Sequence, residues 1–153
     1  MLIVGDAPDR ESDLERFWQF GAKHDVCCIN RAGLKHPDKF KYWYSGHPPE
    51  LLEWAQERPD TGAELWSYRD WPGLNLGLIR ITRGSSSLNA VQLALTTWGY
   101  SRVVLAGVPL SGPYELFRLG WTMIPEHAAN MRSMSGWTAE TFGEPDAAFV
   151  GMQ

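Results

Sequence analysis

Two hydrophobic rhythms alternate along this chain. Residues 1–4 and 101–110 ("SRVVLAGVPL") are short apolar runs without helical period, and the middle of 25–30 ("DVCCIN") is a third. Such runs read as buried strands. Residues 7–21 place Leu14, Phe17 and Trp18 at helical spacing, with Asp9 or Ser12 to cap the helix and Gly21 to stop it. Residues 40–46 ("FKYWYSG") read as a third strand, alternating or edge-like. Residues 48–60 form a helix with prolines at its start and Pro59 near its end. Residues 63–69 and 76–82 ("LGLIRIT") read as two further strands. Ser87 to Trp98 is helical, with Leu88, Val91, Leu95 and Trp98 on one face, Ala90 and Ala94 beside them, and Gly99 as its C-cap. Beyond Pro113 the rhythm weakens. Residues 125–134 read as a helix starting at Pro125, 138–143 as one short turn, and 144–153 as a tail that is loosely ordered or packs on a neighbouring molecule. Strands alternating with helices predict an α/β sandwich with a mainly parallel sheet.

Composition narrows the classes. The 153 residues fit one domain, taken as 1–143 with the tail 144–153 appended. A formal charge of −4 speaks against a nucleic-acid polymer as partner, since such partners select a basic face. No apolar run approaches the roughly 18 residues of a membrane span. The first ten residues lack a basic region and a cleavage pattern, so a cytoplasmic location is expected. Cys27 and Cys28 are adjacent, hence on opposite faces of a strand, and read as buried thiols. No histidine–carboxylate spacing suits a metal, and no cofactor is implied. The eight tryptophans exceed ordinary core demand. Most are expected inside, the others at a homo-oligomer interface or on a stacking surface.

In an open parallel sheet, ligands bind outside the carboxyl ends of the strands. Those ends carry Gly5 and Asp6; Asn30 and Arg31; Ser45, Gly46 and His47; Tyr68 and Arg69; Arg83 and Gly84; and Gly107. The stretch Gly84-Ser85-Ser86-Ser87 opens a helix. One serine can cap that helix, and the spare hydroxyls and free N–H groups suit a phosphate or carboxylate, with Arg83 adding charge. Ordinary capping explains the same residues equally well. Asp6 can accept hydrogen bonds from a ribose, a base amine or a sugar hydroxyl, or simply cap the next helix or turn. His47 and His127 are the candidate general bases, whereas His24 and His36 read as solvated. Gly-x-Ser-x-Gly is absent, and residues 132–137 read as a loop in which Gly136 caps a helix.

The stretch "RGSSSLNAVQLALTTWGYSRVVLAGVPL" resembles a motif of bacterial lipooligosaccharide sialyltransferases. In these a serine-glycine turn, an alanine-rich helix and Leu-Gly-Tyr precede an apolar strand ending Gly-Ile-Asp-Phe. A related pattern occurs in archaeal-type 6-hydroxymethylpterin diphosphokinases. "LIVGDAP" resembles their first strand and its Gly-Asn-Gly-Pro loop, and "HDVCCINRAGL" their second strand, which ends in an asparagine at the nucleotide phosphates. Short phage-encoded proteins look similar. The likeness covers roughly residues 1 to 112. It implies a Rossmann-like three-layer sandwich whose Gly5, Asp6, Asn30 and Ser85 to Ser87 line a nucleotide site. Two departures weigh against the enzymes' chemistry. Asp6-Ala7 replaces Asn-Gly, and Pro109 stands where the family has an aspartate, and its ring cannot take a proton.

Three functions are expected. The first is binding of a small phosphorylated nucleotide derivative without chemistry, which for a phage protein would sequester a host nucleotide signal. The second is glycosyl transfer from a nucleotide-activated sugar, with His47 or His127 as base. The third is a structural or interaction protein with a vestigial site.

Overall fold

The computed structural model describes residues 1–21, 23–82 and 84–151. Seven strands form one all-parallel sheet: β1 (Leu2–Val4), β2 (Val26–Ile29), β3 (Tyr42–Tyr44), β4 (Glu64–Ser67), β5 (Asn75–Leu76), β6 (Val103–Ala106) and β7 (Met131–Ser133). Their order is β5-β4-β3-β2-β1-β6-β7. The helices are α1 (Arg10–Trp18), α2 (Ala32–Lys35), α3 (Pro48–Glu57), α4 (Ser86–Thr96), α5 (Arg118–Thr122) and α6 (Gly136–Phe142). The architecture is an α/β, Rossmann-like sandwich.

Side-chain alternation along the strands builds two cores, one on each face of the sheet. Ile3, Cys27, Tyr42, Tyr44 and Leu105 point to one face, where Leu88, Val91 and Leu93 of α4 cover them. Leu2, Val4, Cys28, Trp43 and Val104 point to the other, against Leu14 and Phe17 of α1 and Leu51 of α3. The adjacent cysteines divide between the cores as their spacing requires. Both are free and fully buried, and desolvation pushes both thiols far up.

Several expectations need correction. The third strand is not an edge. β3 pairs with β2 and β4, and its aromatic rings fill both cores. The segment 76–82 contributes only Leu76 to the sheet. It leaves the ladder and crosses the outer side of α4, where a buried glutamine replaces a partner strand. Gln92 Oε1 accepts from the N–H groups of Arg80 and Ile81 at 3.1 and 2.9 Å, and its Nε2 donates to Ile81 O at 3.0 Å. That cover explains why α4 is buried over Ser87–Ala94 on every side, not along one stripe. Gly99 sits in the left-handed region, and Tyr100 N–H closes onto Ala94 O at 3.0 Å behind it.

After Pro113 the elements differ most from expectation. Residues 125–130 form a 3-10 helix, residues 131–133 are β7, and the turn expected at 138–143 falls largely within α6, which runs from Gly136 to Phe142. Gly136 starts that helix against Pro109 and does not cap one. The tail packs on its own chain. Phe149 lies beneath the guanidinium groups of Arg102 and Arg132, and Val150 enters the core. Two of the eight tryptophans, Trp43 and Trp121, are fully buried; Trp18 and Trp71 are exposed, and the other four are partly covered. His36 is buried beside Phe40 and is not solvated as expected, whereas His24 is half-buried against Phe17. No helix among the described residues is long and apolar enough to cross a membrane.

Gln92→Leu keeps the volume but leaves two N–H groups and a carbonyl of 80–81 without partners. It is expected to cost roughly 2–4 kcal/mol in urea unfolding and to open the segment 77–82 to limited proteolysis. Unchanged stability would show that water satisfies this segment without Gln92.

A candidate ligand cavity at the switch point of the sheet

From β1 the sheet grows one way through β2 to β5, then the chain returns over α4 and adds β6 and β7 on the other side. The crevice outside β1 and β6 is therefore a topological switch point. Here the two backbones nearly touch. Gly5 N–H donates to Ala106 O at 2.8 Å and Ala7 N–H to Gly107 O at 3.3 Å. A Cβ on Gly5 would lie 2.3 Å from Gly107 O, and one on Gly107 would lie 2.8 Å from Gly5 O. Gly107 also has φ +65°, a left-handed conformation that favours glycine.

A buried carboxylate fastens this junction. Asp13 of α1 is 1% exposed, and its Oδ2 accepts from Gly107 N–H at 2.8 Å and from Ser135 Oγ at 2.6 Å. Burial pushes the Asp13 carboxyl above its ordinary range, outweighing the pull of those two hydrogen bonds.

A cavity of about 670 Å³ opens above the junction. Gly5, Asp6, Asn30, Arg31, His47, Ser85, Ser86 and Ser87 all lie on its wall. Three other expected positions are off this wall. Gly84 is set back, and its lack of a side chain serves packing, since a Cβ there would lie 2.1 Å from Leu88 Cδ2. Arg69 folds onto Tyr68, its Nε donating to the phenol oxygen at 2.9 Å, away from the wall. His127 sits in the 3-10 helix before β7, also off the wall. Arg83 lies outside the described residues.

The three serines divide their work. Ser85 Oγ caps α4 by accepting from Leu88 N–H at 3.4 Å, and also accepts from Trp121 Nε1 at 3.3 Å. Ser87 Oγ pairs with Ser85 Oγ at 2.7 Å. Ser86 Oγ accepts from Gly46 N–H at 3.3 Å, tying the turn to the end of β3 and leaving its own proton to donate. The N–H groups of Ser86 and Ser87, in the first turn of α4, have no partner among the described residues. Asn30 adopts φ +50°. Its carbonyl accepts from Trp43 Nε1 at 2.7 Å and its Oδ1 from Ser45 Oγ at 2.8 Å, which turns the amide group into a fixed feature of the wall.

Asp6 does not cap a helix. Its carboxylate accepts from Arg10 Nη1 at 3.0 Å and from Lys35 Nζ at 2.8 Å. Arg31 makes no ion pair among the described residues. Two cations thus screen the wall's acid, while a third residue of positive charge, the exposed Arg31, lies on the wall. The segment from Val108 to Tyr114 and Trp54 of α3 complete the wall. Sequence periodicity carries no signal for them, because the segment is a loop running into a 3-10 helix. Among the described residues no group of three or more His, Cys, Asp or Glu side chains is arranged to hold a metal ion. A second cavity, of about 480 Å³, lies at the opposite end of the sheet beside Met1, Arg102 and Phe149.

No protein-family model matches the chain, no curated protein matches it, and no solved structure matches it.

Asp13→Ala orphans the buried Gly107 N–H and the half-buried Ser135 hydroxyl and is expected to cost about 2–4 kcal/mol. Asp13→Asn can turn its Oδ1 to both donors and is expected to cost far less. Because its pKa is raised on folding, Asp13 adds most stability below the unfolded carboxylate range and loses that contribution as pH rises through the folded value. Urea unfolding of the parent and the asparagine variant between pH 3 and 7 checks the sign; an identical slope in both would refute it.

Proposed function

We propose that the chain binds a small phosphorylated nucleotide derivative in this cavity and holds it without changing it. One observation carries the reading. Eight residues expected from sequence to contact a ligand wall a single cavity at the switch point of a parallel sheet. The charge balance supports an anion. Asp6 is matched by Arg10 and Lys35, and Arg31 adds a positive charge within an otherwise acidic chain. Donors without partners among the described residues support a phosphate: the first-turn N–H groups of α4 and the Ser86 hydroxyl. The likeness of residues 84–107 to the sialyltransferase and pterin diphosphokinase motif points to a nucleotide as the phosphate's carrier.

Binding without chemistry is favoured over glycosyl transfer by the state of the two candidate bases. A general base needs both reach and an orienting partner. His127 is off the wall, and the His47 imidazole makes no hydrogen bond among the described residues. Pro109, on the wall, can neither take nor give a proton.

Calorimetric titration with nucleotides, nucleotide-sugars and cyclic nucleotide signals tests the reading, with each ligand recovered afterwards and weighed. An intact ligand is expected. A cleaved one would put transfer ahead of binding, and no heat from any of them would remove the reading. Ser86→Glu is expected to lower affinity at least about 100-fold through like-charge repulsion, the equivalent of roughly 3 kcal/mol, with the fold intact by circular dichroism. Arg31→Ala is expected to lower it about 10-fold. Parent-like affinity in both variants would move the phosphate elsewhere.

A further inference from the structure

We propose that Tyr114 stacks on the base of the ligand and thereby distinguishes a nucleotide from a bare phosphate; this rests on the binding reading above. The cavity is polarised along its length. It spans the ends of β3, β2, β1 and β6, three strand spacings or about 14 Å. His47, Asn30, Arg31 and Ser86 stand at the β3–β2 end. The β6 end is walled mainly by apolar residues, Val108, Pro109, Leu110 and Pro113, with Ser111 and Gly112 between them and Tyr114 beside them. A ligand that is anionic at one end and flat and apolar at the other matches this arrangement.

Tyr114 is presented for that task. The residue lies on the cavity wall and is 58% exposed, and its hydroxyl has no partner among the described residues. The ring is not loose. Pro113 precedes it, its N–H donates to Ser111 O at 3.2 Å, and Phe117 backs it with ring centroids 6.2 Å apart. A held aromatic ring with an open face gains most by covering that face with another flat ring.

The backbone adds an independent pointer. Among the described residues, the two non-glycine residues at positive φ are Asn30 and Leu110, both at +50°, and both line this cavity from opposite ends. Leu110 is buried and held by Arg118 Nε, which donates to its carbonyl at 2.9 Å. Strained backbone of this kind concentrates where a ligand is gripped. Its effect here is to carry Pro113 and Tyr114 onto the cavity wall.

The test is titration of the parent chain, Tyr114→Ala and Tyr114→Phe with the nucleoside 5′-diphosphates and with inorganic pyrophosphate. Tyr114→Ala is expected to weaken nucleotide binding by about 10- to 100-fold, the usual alanine-substitution effect on base stacking. Pyrophosphate affinity stays unchanged, and Tyr114→Phe binds like the parent. Equal affinity of Tyr114→Ala for nucleotides, or an equal loss for pyrophosphate, overturns the stacking role while leaving the binding reading standing. A parent chain that binds none of these probes overturns both.

Discussion

The contact on which the rest depends is the backbone approach of Gly5 to Gly107. At this point the order of the strands reverses, and the two strand ends come so close that neither residue has room for a side chain. The floor of the cavity is therefore bare main chain, so a ligand can approach the sheet more closely than side chains would permit. The geometry also demands a buried acceptor for the Gly107 N–H, which lies in a turn without a strand partner. Asp13 supplies it, and the same oxygen holds Ser135, so one carboxylate joins α1, β6 and the loop before α6. An unpartnered buried N–H would be costly, and a buried charge is tolerated here because two donors satisfy it.

Charge around the cavity is arranged against the character of the whole chain. The protein is acidic, yet the acid nearest the site, Asp6, is held between Arg10 and Lys35 and presents little net field. Glu11 in turn bonds Arg10. These pairs are partly exposed and contribute little to stability. Their effect is local: they offset the carboxylate at the mouth of the cavity, the charge balance that the proposed anionic ligand requires.

How much of this is legible in the sequence depends on whether the governing interaction is local. The serine turn is legible because a cap is made by residues three apart, as Ser85 and Leu88 make it. The inner strands are legible because parallel strands buried on both faces are simply apolar. Residues 76–82 mislead for a physical reason. Leu78, Ile79 and Ile81 look like a strand, but a side chain twelve residues from Arg80, that of Gln92, takes the hydrogen bonds that a neighbouring strand would have taken. β7 and α6 escape the periodicity because short elements near Gly136 are fixed by Pro109 and Thr138 contacts that no period records. Gly84 has the look of a ligand contact, whereas Leu88 alone explains it. Val108 to Tyr114 leave no mark in the pattern because a wall made of loop residues has no rhythm.

That last segment bears on what the site can do. A transferase must place a base against an acceptor while keeping room for that acceptor, and it must orient the base through a second group. Here the β6 end of the cavity, where the resembling enzymes carry an aspartate, is occupied by Pro109 and Leu110, and Tyr114 closes in beside them. Pro109 and Leu110 offer surface and no proton, and the Tyr114 phenol has no orienting partner among the described residues. The polar groups are concentrated at the other end, and those with protein partners are committed to fixing the wall: Asn30 to Ser45 and Trp43, Ser85 to α4 and Trp121. A site so built gains by gripping both ends of one molecule. On the binding reading proposed above, contacts at both ends act on the ground state of the ligand, which favours retention over turnover.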